Sequence, residues 1–167
     1  MRRLKHLSEA LSAVPMAMAS IALFALMVLT FADVVMRSAF NAPIEAATEL
    51  IRIGIAVIVF SALPVLSWRE GHIAVDLLDR PFARLNLTRW RDATVALTCG
   101  AMLWLPAGRV VDLAFRARNY GDVTEYLAIP TFYIGMFIAV MTYLTSAVLV
   151  LRGLVHLFAP KTLEKAA

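Results

Sequence analysis

Charge is scarce in this 167-residue chain: Asp, Glu, Lys and Arg make up 17% of it, against about a quarter in ordinary soluble domains. Cysteine is scarcer still, with Cys99 standing alone. That excludes an internal disulfide framework, a cysteine-pair redox centre and any zinc or iron–sulfur site built from cysteines. Histidine occurs only at His6, His72 and His156, at or beyond the ends of the long apolar stretches, so a membrane haem would find no axial ligands. No internal repeat and no pair of interrupted helices marks an inverted-repeat transporter. What the chain has in excess is apolar surface: 61% of residues are hydrophobic, against roughly 45–50% in soluble domains, and the mean hydropathy is +0.77. Disorder, nucleic-acid binding and most soluble enzyme classes are excluded at this level. The class is multi-pass membrane protein.

The charges that do occur fall in blocks. Between them lie four windows without Asp, Glu, Lys or Arg, at 10–32, 53–68, 93–108 and 126–151. A helix needs about 20 apolar residues to cross a ~30 Å hydrocarbon core. The first and last windows are long enough, and the middle two are completed by apolar flanks such as Ile44, Leu50 and Ile51, and Val110, Leu113 and Phe115. Arg52, Arg91 and Arg109 have stems long enough to snorkel. The pattern therefore predicts four transmembrane helices near 10–36, 44–68, 90–116 and 125–152. Arg2, Arg3 and Lys5 before an apolar run, with Ala17-Met18-Ala19 behind, imitate a signal peptide. The apolar run continues unbroken to Ala32, however, so the segment reads as a span.

Four spans place both termini on one side. With that side cytoplasmic, eleven basic residues lie inside and five outside, and the acidic residues divide evenly. The positive-inside rule selects this N-in, C-in orientation, and the basic pI of 9.6 then reports topology, with no nucleic-acid partner required. The first outer connection, 37–44, is short, with Asn41 suited to a turn and Pro43 to the first turn of a helix. The inner segment 70–88 mixes Leu78, Phe82 and Leu85 with Asp79, Arg80 and Arg84. It reads as an amphipathic segment lying in the headgroup plane, in contact with membrane lipid, with Pro81 interrupting it. The second outer connection, 117–125, turns at Gly121-Asp122.

Ionisable residues inside a membrane are the default functional signal, and the middle of each expected span lacks them. Asp33 and Arg37 sit i,i+4 at the outer end of the first span. Glu45, Glu49 and Arg52 form a stripe on the second. Across a tight hairpin Arg37 would approach Glu49 or Glu45, and Asp33 would approach Arg52. No acidic residue continues inward, so these charges read as structural ion pairs tying the hairpin, not as an ion path. Asp112 and Arg116 make another i,i+4 pair near the outer end of the third span. Neither a catalytic constellation nor a cofactor or metal site is legible. Small residues such as Ala19, Ala22 and Gly54 permit close helix contact.

Three stretches go further. Asp33-Val-Val-Met-Arg37-Ser-Ala-Phe40-Asn41-Ala-Pro43-Ile44 leads into Glu49-Leu50-Ile51-Arg52. Arg69-Glu70-Gly71-His72-Ile73-Ala74-Val75-Asp76-Leu77-Leu78 follows the second span, and Leu127-Ala128-Ile129-Pro130 opens the fourth. Together they resemble the small membrane subunit (Q-type, or small permease) of TRAP transporters, the tripartite ATP-independent periplasmic uptake systems, over nearly the whole chain. Two departures stand out: Glu70 where that family often has a second glycine before the histidine, and a second span without the tryptophan and glycine often found at its middle.

The resemblance implies an all-α subunit of the bacterial inner membrane, without cofactor and without enzymatic activity. It would scaffold a large permease subunit that carries the substrate and sodium sites, while a periplasmic binding protein delivers an organic acid. It implies a structural role for Arg37, Glu49 and Arg52, and an inner motif of Gly71, His72 and Asp76 that orients the in-plane segment. Asn41, Arg116, Arg118 and Asp122, on the outer surface, are the candidates for contact with the periplasmic protein. The competing expectation is a self-contained transporter or channel formed by homo-oligomerisation, which would require a charge embedded in a span, and Ser20 to Ala32 offers none.

Overall fold

The computed structural model describes residues 2–69 and 88–158, all-helical apart from the connections. Four helices follow in order: α1 (Arg2–Phe40), α2 (Ala47–Arg69), α3 (Thr88–Tyr120) and α4 (Thr131–Phe158). Each is long and apolar enough to cross a membrane, over Ala13–Phe40, Ala47–Trp68, Trp90–Tyr120 and Thr131–Leu157. The expected in-plane segment, with Gly71, His72 and Asp76, lies outside the described residues.

The helices stand in a row and not in a square. α1 packs on α2, α2 on α4 and α4 on α3, with no comparable contact between any other described pair. Consequently α1 and α3, at the two ends of the row, each bury one narrow stripe. From Ala13 to Phe40 on α1 the buried or half-buried positions are Pro15, Ala19, Ala22, Leu26, Leu29 and Asp33, with Ala32 beside the last. Their alternating spacing of four and three is the seam of a left-handed helix pair. Opposite that seam, Ile21, Phe24, Val28, Phe31 and Val35 are exposed, as suits a lipid-facing surface.

The α3–α4 pair is the tightest. Ala93, Gly100, Ala107 and Ala114 are buried on α3 at intervals of seven residues. Ala139, Ser146 and Gly153 answer them on α4 at the same interval. Between membrane helices apolar side chains gain little over lipid, so association depends on small residues that let backbones approach. The approach here is close enough that a Cβ on Gly100 would lie 2.8 Å from Val150 Cγ2 and 3.1 Å from the Ser146 carbonyl oxygen. The Ser146 hydroxyl donates to the Gly100 carbonyl across the seam at 2.6 Å. Trp104 and Tyr143 close the same interface edge to face, with centroids 4.9 Å apart.

The two turns at one end of the row (the hairpin end, opposite the chain termini) are built differently. α1 stops at Phe40, with Asn41 left-handed at φ 51° and the Ala42 N–H donating to the Met36 carbonyl. α3 ends in a Schellman motif. Gly121, at φ 70°, donates to Arg118, and Asp122 donates to Ala117. The chain then makes a compact knot before α4. Thr124 N–H donates to the Ile129 carbonyl, Ile129 N–H to the Thr124 hydroxyl, and Thr131 N–H to the Asp122 carbonyl. Val123 and Pro130 form an isolated bridge. Hence α4 starts at Thr131, later than the apolar pattern from residue 125 suggests. Pro130 has no N–H to donate and keeps Ile129 out of the helical region.

Replacing Gly100 by Val should split α3 from α4, lowering stability in detergent by about 1–3 kcal/mol, as expected for overpacking. Ser146→Ala, which only removes the crossing hydrogen bond, should cost roughly 0.6 kcal/mol. Thermal unfolding of the two variants in the same micelles gives the comparison.

Candidate functional site

Helix ends leave backbone N–H and C=O groups without intrahelical partners, and inside or near a bilayer water does not satisfy them cheaply. Turn amides face the same need, and charged residues of this chain bind backbone groups at three places, in the two turns and at the C-terminal end of α2. Two lie at the hairpin end and one at the opposite, terminal end.

Asp33, 8% exposed, holds the α1–α2 turn. Its Oδ1 accepts the Ile44 N–H at 2.9 Å, and its Oδ2 accepts from Arg37 Nη2 at 2.8 Å. The expected pair within α1 is thus present, with Arg37 neutralising a carboxylate whose other oxygen caps the entry to α2. Glu49, in the first turn of α2, does the equivalent for the α3–α4 connection. Its Oε2 accepts the Tyr126 N–H at 3.0 Å and the Leu127 N–H at 3.4 Å. Among the described residues no ion pair joins Asp33 or Arg37 to Glu45, Glu49 or Arg52. The carboxylates bind backbone amides, and the pairs expected across the hairpin are replaced by these caps. Glu45, Thr48 and Arg52 line a cleft of about 630 Å³ between α2 and residues 123–126 of the second turn, open to the surroundings.

The third place was not marked by the sequence pattern beyond a count of basic residues. Arg152, on the last turns of α4, is 8% exposed. Its Nη1 donates to the Ser67 carbonyl at 2.8 Å and the Trp68 carbonyl at 2.6 Å. These are C-terminal carbonyls of α2, the negative end of its dipole. A guanidinium with two charge-assisted bonds is well matched to that end. The available signal was its isolation: Arg152 follows 26 residues without a charge and faces the end of a helix that lacks a basic residue before Arg69 in its last turns.

The remaining candidates are spread over the hairpin end. Arg118 lies over the Phe132 ring at 5.3 Å, and Phe132 also meets Phe115 and Tyr133. Arg118 and Asp122 border a second shallow cleft, about 370 Å³, with Val123, Phe132 and Tyr133. Arg116 is exposed on α3, and Asn41 sits in the other turn. The structure therefore brings Arg118 and Asp122 together and leaves Asn41 apart from them. Among the described residues no group of His, Cys, Asp and Glu could hold a metal ion, and Cys99 is exposed.

A family model described as "Tripartite ATP-independent periplasmic transporters, DctQ component" matches residues 26–160. No curated protein and no solved structure matches the chain.

Two substitutions test the caps. Glu49→Ala should accelerate hydrogen exchange at the Tyr126 and Leu127 amides while exchange within α3 stays as it was. Arg152→Ala should destabilise the protein by about 1–3 kcal/mol by leaving buried carbonyls unpaired, as read from unfolding in detergent, with Arg152→Lys recovering part of the loss.

Proposed function

The chain belongs to the DctQ component family of tripartite ATP-independent periplasmic transporters, and on that premise we propose that it is the scaffold subunit of a sodium-driven organic-acid uptake system. It is a multi-pass membrane protein and a transporter component, not an enzyme. In this reading it packs beside a large permease subunit, which binds substrate and ion, and widens the stationary part against which that subunit moves. A periplasmic binding protein delivers the substrate. The hairpin end faces the periplasm and the termini the cytoplasm of a bacterial inner membrane, the orientation favoured by eleven basic residues against five.

One observation carries the scaffold role. The buried ionisable side chains among the described residues, Asp33 and Arg152, are both bound to backbone groups, Asp33 to a turn amide before α2 and Arg152 to carbonyls at its end. In this reading they hold architecture. Asn41, Arg116, Arg118 and Asp122 supply an exposed polar fringe at the hairpin end, and this fringe contacts the binding protein.

Purified from its native membrane in mild detergent, the tagged chain should retain one much larger polytopic protein in stoichiometric amount. Reconstituted alone it should give no substrate flux, and flux should appear with the large subunit, the binding protein and a sodium gradient. A pure homo-oligomer that transports unaided would establish the self-contained reading instead. Reversing Arg118 and Asp122 together should impair delivery by the binding protein while leaving co-purification with the large subunit intact.

A further inference from the structure

The packing register of α3 against α4 sets two charges of the 90–116 span, Arg109 and Asp112, alongside the apolar stretch of α4. Ala114 meets Gly135, and Gly100 meets Ser146. Interpolating between these contacts sets Arg109 level with the turn containing Ala139 and Asp112 about one turn nearer the hairpin end. Arg109 therefore lies about 12 Å inside the start of α4, at ~1.5 Å per residue, beside a partner helix with no charge from 126 to 151.

Both side chains point away from the rest of the chain, 76% and 60% exposed, and their mutual contact is a loose 3.8 Å. Met102 and Leu105 continue the same face downward at helical spacing, and Arg116 continues it upward. Ionisable residues within a span nearly always face a protein interior or a water-filled cavity. These two face neither in this chain. The exposed stripe of α1, at the other end of the row, has no charge from Ile21 to Val35 except Asp33, which points into the α2 seam. The two ends of the row thus differ: one exposes no charge from Ile21 to Met36, and the other a charged stripe beside the apolar stretch of α4.

We propose that the outward face of α3, centred on Arg109 and Asp112, is the surface on which a transmembrane helix of the large permease subunit seats, presenting a carboxylate to Arg109. The inference rests on the scaffold reading above and adds which helix makes the contact. Charge complementarity selects the occupant. The stripe holds two guanidinium groups, Arg109 and Arg116, against one carboxylate, Asp112, so two copies of this face would double the positive excess.

Two measurements test it in membranes containing the complete transporter. A photo-crosslinking residue at Leu105, 74% exposed on this face, should form adducts with the large subunit, while one at Phe24 on α1 should label lipid. Arg109→Leu should reduce recovery of the large subunit about tenfold, the equivalent of one lost ion pair of moderate strength. The same variant alone in detergent should unfold at an unchanged or higher temperature, since the replacement is apolar. Adducts from Leu105 confined to lipid or to a second copy, or undiminished recovery by Arg109→Leu, would overturn the interface while the wild-type chain still retained its partner. A wild-type chain that retains no large subunit would overturn the scaffold reading and this interface with it.

Discussion

The constraint on which the structure depends is that turns and helix ends leave backbone N–H and C=O groups without partners in regular structure. Asp33 and Glu49 supply carboxylate oxygens to the N–H groups of Ile44, Tyr126 and Leu127. Arg152 supplies donors to the carbonyls of Ser67 and Trp68. Because α2 takes part in all three contacts, it is held at its entry by α1, at its first turn by the α3–α4 connection and at its exit by α4. The central position of α2 in the row follows from this, and so does the parallel alignment of α2 and α4.

Within that frame, the two hairpins are held by different means. α1 and α2 meet through a seam of mixed size, with Leu26 filling the space opposite Gly54. α3 and α4 meet through alanine, glycine and serine at seven-residue intervals, close enough for a hydroxyl to reach a backbone carbonyl across the interface. A seam of small residues gains dispersion contact along two whole backbones. It also fixes the register, since a shift of one turn would drive side chains into the positions of Gly100 and Gly153. That register determines how deep Arg109 lies.

The four spans were legible in the sequence because charge-free windows report them directly, and the family was legible in the Asp33–Arg52 stretch and the inner motif around His72. The partners of the charges were less so. Residue types show that Glu49 is a carboxylate, yet its acceptor role toward Tyr126 and Leu127 involves amides 77 and 78 positions away, which every residue but proline has. Ion pairs within the hairpin were the nearest chemical match that side chains alone could offer. The late start of α4 was hidden for a related reason: Leu127 and Ile129 are apolar enough for a span, and only the Thr124–Ile129 turn and Pro130 show where the helix begins. The depth of Arg109 depends on interhelical register, which the small residues encode but their one-dimensional spacing does not reveal.

The arrangement at Arg152 and Glu49 has an evolutionary consequence. In each cap, one partner must be a particular side chain and the other is anonymous main chain. For these contacts the side chains of Trp68, Tyr126, Leu127 and Ile44 are therefore not specified, whereas those of Asp33, Glu49 and Arg152 are. The exception is also one-sided. Proline has no amide hydrogen but keeps its carbonyl, so it is excluded as a donor at 44, 126 and 127, but at 67 and 68 it would still present the oxygen that Arg152 binds. Relatives of this chain can thus diverge widely along their turns and still share one framework, recognisable by three charges more than by the residues those charges hold.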